Sequence, residues 1–154
     1  PFILSTGKLS PRKNVHGLIR ALGRIADEIP HHLVLVGGDG WSTEETYRQL
    51  ADTGLEERVH FAGFVSDDQL RALYRRASGY VHPSLYEGFG LPVLEAMARG
   101  VPVISSQSSS LPEVAGDAAL YFDPHKASDL GENLIQVGDD KVSEHFKKML
   151  MTRN

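Results

Sequence analysis

The chain has 154 residues, enough for one domain with a sizeable core. Lysine and arginine together number 16 against 20 aspartates and glutamates; the formal net charge of −4 excludes a general nucleic-acid surface, which needs a basic excess. There is no cysteine, hence no disulfide framework and no thiolate metal site, which fits a reducing compartment.

The chain opens on Pro1 and enters an apolar strand by Phe2, so a piece excised from a longer protein is expected. No apolar run approaches a membrane span, and the opening lacks the charged-then-apolar layout of a signal segment. A cytoplasmic location is expected. Phe2-Ile3-Leu4-Ser5-Thr6 reads as a strand ending at Gly7, and apolar residues at Leu18, Ile19, Leu22, Ile25 and Ala26 predict a helix over 15–29. The pattern then repeats: a strand over 32–38 with a helix over 43–51, a strand over 58–62 with a helix over 67–76, and a strand over 79–82. A fifth strand over 101–105 precedes a short helix near 111–115, and a sixth over 118–122 precedes a helix over 126–136. Beyond about Gly138 the pattern decays, which divides the chain into a domain over 1–138 and a helical tail over 139–154 whose apolar face needs a cover.

Near-continuous apolar strands alternating with helices predict an α/β, Rossmann-like fold: a doubly wound, six-stranded parallel sheet with helices on both faces. Ligands of such sheets lie beyond the carboxyl ends of the strands. The loops to watch are therefore 7–14, 37–42, 63–66, 82–90 and 105–110.

The most informative of these is Tyr86-Glu87-Gly88-Phe89-Gly90-Leu91-Pro92-Val93-Leu94-Glu95. Pro92 suits the first helical position, since its φ is already helical and the N–H it lacks would have no intrahelical partner. Backbone N–H groups of Gly88, Phe89, Gly90 and Leu91 then sit at the positive end of a helix dipole and favour an anion. Glu87 and Glu95 bracket the loop. Carboxylates repel phosphate but accept hydrogen bonds from hydroxyls, so the set suits a diphosphate flanked by polyols, the layout of a nucleotide-sugar. Lys8, Arg12 and Lys13 in the first loop supply three cations within six positions, a forked guanidinium among them, to balance a diphosphate.

Glu87 and Glu95 with Gly-Phe-Gly-Leu-Pro between them resemble the E-x7-E motif of retaining nucleotide-sugar glycosyltransferases of the GT-B architecture, and most closely family 4, the glycosyl transferases group 1 with their mannosyl- and glucosyltransferases. Pro11-Arg12-Lys13-Asn14 resembles the basic element of the same family, and Leu111-Pro112-Glu113-Val114 extends the likeness to about Asp123. The resemblance implies a carboxyl-terminal donor-binding domain of an enzyme that moves a hexose from an NDP-sugar to a glycan or lipid-linked acceptor.

In that assignment Arg12 and Lys13 hold the diphosphate as leaving group, Glu87 faces the transferred sugar and Glu95 the ribose diol. Gly7, Lys8, Val65, Gly88, Phe89, Gly90 and Leu91 complete the donor contacts, Lys8 standing where many members have arginine and Val65 edging the nucleobase. No metal and no cofactor are implied. GDP-mannose is favoured over a UDP-sugar. The acceptor falls to an amino-terminal domain of the same protein, through which peripheral membrane association is possible, and the piece alone is expected to transfer little or no sugar. A regulatory nucleotide-binding module and a GT-B epimerase are the alternatives.

Three further features stay open. Gly37-Gly38-Asp39-Gly40 follows the second strand and lacks the third glycine of G-x-G-x-x-G, so it reads as a tight turn and not a nicotinamide site. His82, at a strand end, is either a hydrogen-bonded structural residue or a group for proton transfer. The serine run 105–110, broken by Gln107, is either a solvated loop or a set of hydroxyl donors.

Overall fold

The computed structural model describes residues 1–86, 90–107, 116, 119–139, 141, 144, 145 and 148. The short helix expected near 111–115 and most of the tail from 139 onward lie outside them. The strands are β1 (Phe2–Thr6), β2 (His32–Val36), β3 (Val59–Gly63), β4 (Gly79–His82), β5 (Val103–Ser106) and β6 (Ala119–Phe122). They form one sheet in the order β3-β2-β1-β4-β5-β6, with every pairing parallel. Helices α1 (Val15–Arg24), α2 (Glu44–Thr53), α3 (Asp67–Arg76) and α4 (Leu91–Ala98) lie in the crossovers between successive strands, and α5 (Ala127–Gly138) follows the last strand. The fold is the doubly wound Rossmann-like sheet that the alternation of strands and helices predicts.

Alternation along each strand splits the core in two. Ile3, Leu33, Leu35, Val59, Val81, Ile104 and Phe122 bury against α1 and α5 on one face. Leu4, Val36, Tyr80, Val103 and Ala119 bury on the other, with Tyr74 of α3 and Val93 and Ala96 of α4. The strand order reverses between β1 and β4, which pair through Ile3 with Gly79 and Leu4 with Tyr80. A crevice opens above that pair, because crossovers leave it in opposite directions.

Two boundaries and the burial of one strand differ from expectation for identifiable reasons. α1 stops at Arg24, although Ile25 and Ile29 remain buried. Pro30 disfavours helical backbone at Ile29, and the chain turns while keeping both isoleucines in the core. Arg58, expected to begin β3, instead donates to the carbonyls of Ala26 (2.8 Å), Ile29 (2.9 Å) and His31 (2.6 Å), serving the end of that helix. β3 is an edge strand with His60, Phe61 and Ala62 exposed, not a fully covered one. α3 starts where the serine cap predicts: Ser66 Oγ accepts from Gln69 N at 3.1 Å while Gln69 Oε1 accepts from Ser66 N at 2.9 Å.

Gly37 and Gly40 have a steric role. The loop after β1 lies directly on the turn after β2, with Gly7 N donating to Val36 O (2.8 Å) and Leu9 N to Gly38 O (3.1 Å). A Cβ on Gly37, whose φ is +131°, would fall 2.3 Å from Gly7 O, and one on Gly40 would fall 2.1 Å from Leu9 O. Only glycine allows that approach. Below the crevice, Thr6 at the end of β1 shares a 2.8 Å hydrogen bond with the phenol of Tyr80 on β4, and Tyr74 of α3 packs its ring 5.7 Å from that of Tyr80.

Gly40→Ala is expected to destabilise the chain by about 2 kcal/mol or more, read as a lower urea midpoint, because backbone must move to admit the methyl group. A midpoint within error of the parent would contradict the close approach. The tyrosine pair sets a second expectation. Burial first, then the Glu95 carboxylate, pushes Tyr74 up to about 12, and burial also raises Tyr80. A phenol raised in the fold holds its proton more tightly there than in the unfolded chain. Its stabilisation is complete below about pH 10 and is lost as pH climbs through the folded value. Melting temperature should therefore fall from pH 10 upward, and less steeply in Tyr74→Phe; equal slopes in parent and variant would remove Tyr74 as the cause.

Candidate donor site

Three loops meet above the β1/β4 crevice, and side chains hold them in place. In the first, Ser10 precedes a 3-10 turn over Pro11–Lys13, opened by the fixed φ of Pro11. Asn14 closes that turn in the left-handed region at φ 56°, a conformation asparagine tolerates better than most residues. Its buried amide donates to Pro83 O in the loop after β4 (3.1 Å), and Leu85 N of that loop donates to Arg12 O (2.8 Å). From β5, Ser106 Oγ donates to Ser84 O at 2.7 Å. Loops after β1, β4 and β5 are thus tied together.

This tie places the basic residues. Arg12 is exposed, while Lys13 is half-buried. The Lys13 side chain folds back over the strand end: a Cβ on Gly7 would lie 3.4 Å from its Cε and 3.7 Å from its Nζ. Gly7, at φ +127°, leaves that space open. Lys8 is exposed and lies beside Gly40, on the β2 side of the loop.

Across the crevice, Gly90 in the left-handed region (φ 79°) caps α4, with Leu91 first and Pro92 second in the helix. This corrects the expected placement of Pro92 at the first position by one residue; the second is equally free of a lost hydrogen bond, since the first-turn N–H groups have no intrahelical acceptor. Leu91 is 63% exposed at the crevice mouth. Glu95 is exposed on α4, and its carboxylate accepts from the Tyr74 phenol at 3.5 Å, while Arg99 lies 5.7 Å from the centre of the Tyr74 ring. Glu87, Gly88 and Phe89 lie outside the described residues.

The remaining expectations divide. Val65 is half-buried and packs on the α3/α4 core, so its side chain is a core group. Its neighbour Phe64 is 81% exposed and rests on Gly38, where a Cβ would meet the ring at 2.8 Å. His82 is buried beneath the loop, its Nε2 3.4 Å from Ser84 Oγ. Ser105 and Ser106 are buried and hydrogen-bonded, so these two are loop anchors and not solvated donors. Among the described residues no group of three His, Asp or Glu is placed to hold a metal ion, and no helix is long and apolar enough to cross a membrane.

Tyr74 and Phe64 are the site-supporting residues that sequence reasoning missed; Asn14 and Ser106 stand in stretches that the sequence singles out, the Pro-Arg-Lys-Asn element and the serine run, but their part in tying the loops was hidden. The arrangement as a whole sets two cations on the β1 side of the crevice and a carboxylate, steadied by a phenol, on the α4 side. It can grip an anion at one end of a ligand and hydroxyl groups at the other.

The family model for glycosyl transferases group 1 matches residues 1–150. The chain is 41% identical over 147 residues to O-antigen chain mannosyltransferase B of Escherichia coli, covering 93% of this chain and 38% of that protein. It is 35% identical over 123 residues to O-antigen chain mannosyltransferase RfbU of Salmonella typhimurium, covering 80% and 34%. The C-terminal domain of the group 1 protein LpcC from Francisella tularensis superposes with a TM-score of 0.84 at 23% identity, over 99% of this chain and 85% of that one. Anabaena HepE, solved with UDP and glucose, superposes with a TM-score of 0.81 at 26% identity, over 99% and 44%. The chain spans less than half the length of these two mannosyltransferases and, by sequence and by fold, belongs to the glycosyl transferases group 1 family.

Proposed function

We propose that the chain is the donor-binding half of a retaining GT-B glycosyltransferase that moves a hexose of mannose or glucose type from an NDP-sugar to a glycan or lipid-linked acceptor, with GDP-mannose as the favoured donor. The observation that carries this reading is the fixed loop pair: the Arg12–Lys13 turn is tied to the loop after β4, opposite Glu95, at the point where the strand order reverses. The E. coli and Salmonella relatives, named as O-antigen chain mannosyltransferases, support the mannose assignment. The HepE neighbour, solved with UDP and glucose, supports a nucleotide-sugar in this fold.

In this reading Arg12 and Lys13 bind the diphosphate and stabilise the charge that grows on it as the sugar departs. Gly7 gives the phosphates room at the strand end, with Lys8 and the backbone N–H groups of residues 88–91 adding to the positive field. Glu95 accepts from the ribose hydroxyls, and Tyr74 holds its carboxylate. Glu87 orients the transferred sugar. The cations and the helix terminus neutralise the phosphates without a metal. An amino-terminal domain of the same protein presents the acceptor, so transfer requires both halves.

Calorimetric titration of the chain with GDP, UDP and ADP tests the reading. GDP is expected to bind most tightly, and Glu95→Ala or Arg12→Gln to weaken it about tenfold each, the cost of one charge-assisted hydrogen bond. Tyr74→Phe should weaken GDP a few-fold and leave pyrophosphate binding unchanged, because it acts only through Glu95. A preference for UDP would overturn the choice of base; unchanged affinity in both Glu95→Ala and Arg12→Gln would move the site elsewhere. Incubation with donor and acceptor should give no product from this chain alone, and efficient transfer would refute the need for a second half.

A further inference from the structure

A cleft of about 510 Å³ opens on the opposite face of the sheet from Glu95 and Tyr74, between α1 and the turn joining β6 to α5. One wall carries His16, Arg20 and Arg24, four residues apart and therefore stacked along one side of α1. His125 and Lys126 form the facing wall. Phe122 and Leu130, both buried, make an apolar floor, and no aspartate or glutamate among the described residues lines the cleft. Among the described residues Arg20, Arg24 and Lys126 form no ion pair. The acid that faces His16 and Arg20 is Glu45 of α2, and its carboxylate is already engaged by Arg48 at 2.8 Å and Gln49 at 3.1 Å.

Cations converging from two walls repel one another, and Arg20 with Arg24 is an unfavourable pair at helical spacing. The chain carries more acids than bases, yet among the described residues none lines this cleft. Two guanidinium forks facing an ammonium suit a tetrahedral dianion, and the floor suits the uncharged body attached to it. We propose that this cleft is a second anion site, separate from the donor crevice, that takes the phosphate of a phosphorylated small molecule or of a phospholipid headgroup. Asn14 and Leu85 line the cleft and also tie the donor loops, so an occupant would touch the supports of the crevice from behind.

His16 reports on occupancy. Burial and then Arg20 hold its pKa below the ordinary value, with Glu45 offsetting them in part. A phosphate bridging Arg20 and Lys126 brings negative charge beside the ring and must raise it. Histidine-ring NMR of the chain, titrated with inorganic phosphate against sodium chloride at matched ionic strength, is the test. The signal is taken at His16 and His125 and does not depend on what the donor crevice binds. Phosphate is expected to raise the His16 pKa saturably, with affinity about tenfold weaker in Arg20→Gln and in Arg24→Gln. Vesicles of phosphatidylcholine with and without phosphatidic acid form the second arm. A response to free phosphate assigns a small molecule, and a response only to phosphatidic acid assigns a headgroup. An equal effect of chloride, no effect in either arm, or a phosphate effect that survives both substitutions would overturn the proposal.

Discussion

The site depends on one short contact between loops far apart in sequence: the Asn14 amide on Pro83 O, reinforced by Leu85 N on Arg12 O. A basic turn in water samples many shapes, and each costs entropy to fix. Here the carbonyl of Arg12 itself is a bonding partner, so the backbone that carries the cation is held by the loop leading to α4. Positioning of the Arg12 backbone and of the loop after β4 is therefore one event. Such preorganisation leaves more of the binding energy for the ligand.

That contact in turn requires the glycines of the second turn. Were Gly37 or Gly40 any larger, the β1 loop would be pushed off β2, and the turn bearing Arg12 and Lys13 would lift with it. Fold and site thus share a constraint that no polar residue advertises. On the α4 side the same economy appears in Tyr74, which fills the core with its ring and spends its hydroxyl on Glu95. A buried phenol finds a partner there, and an exposed carboxylate loses rotational freedom.

Much of this was legible from sequence. Strands 2–6 and 79–82 and helix 67–76 fall where apolar pattern and capping place them, since each is decided by local chemistry. The basic turn after β1 and Glu95 on α4 stand out in the sequence by charge and spacing, and the fold sets them on either side of the β1/β4 crevice. What stayed hidden is non-local: Asn14 meets Pro83 across 69 positions, and Tyr74 reads as one more core aromatic until α3 and α4 are brought together. α1 is shorter than its apolar spacing predicts, since the core isoleucines past its end keep helical spacing while Pro30 disfavours helical backbone at Ile29. The double use of the β6–α5 turn as a wall of a basic cleft left no local signal, since His125 and Lys126 look like any solvated turn.

Arg58 gives the edge of the sheet an unexpected solidity. β3 has exposed side chains along most of its length, and such an edge would ordinarily fray by itself. Yet the residue just before it grips the carbonyls of Ala26, Ile29 and His31, the stretch that delivers two isoleucines to the α1/α5 core. Peeling β3 away strands those carbonyls and loosens the core beneath α1. The least covered strand is thereby made part of the same cooperative unit as the most covered helix, and amide protons at the start of that strand report on opening of the whole domain.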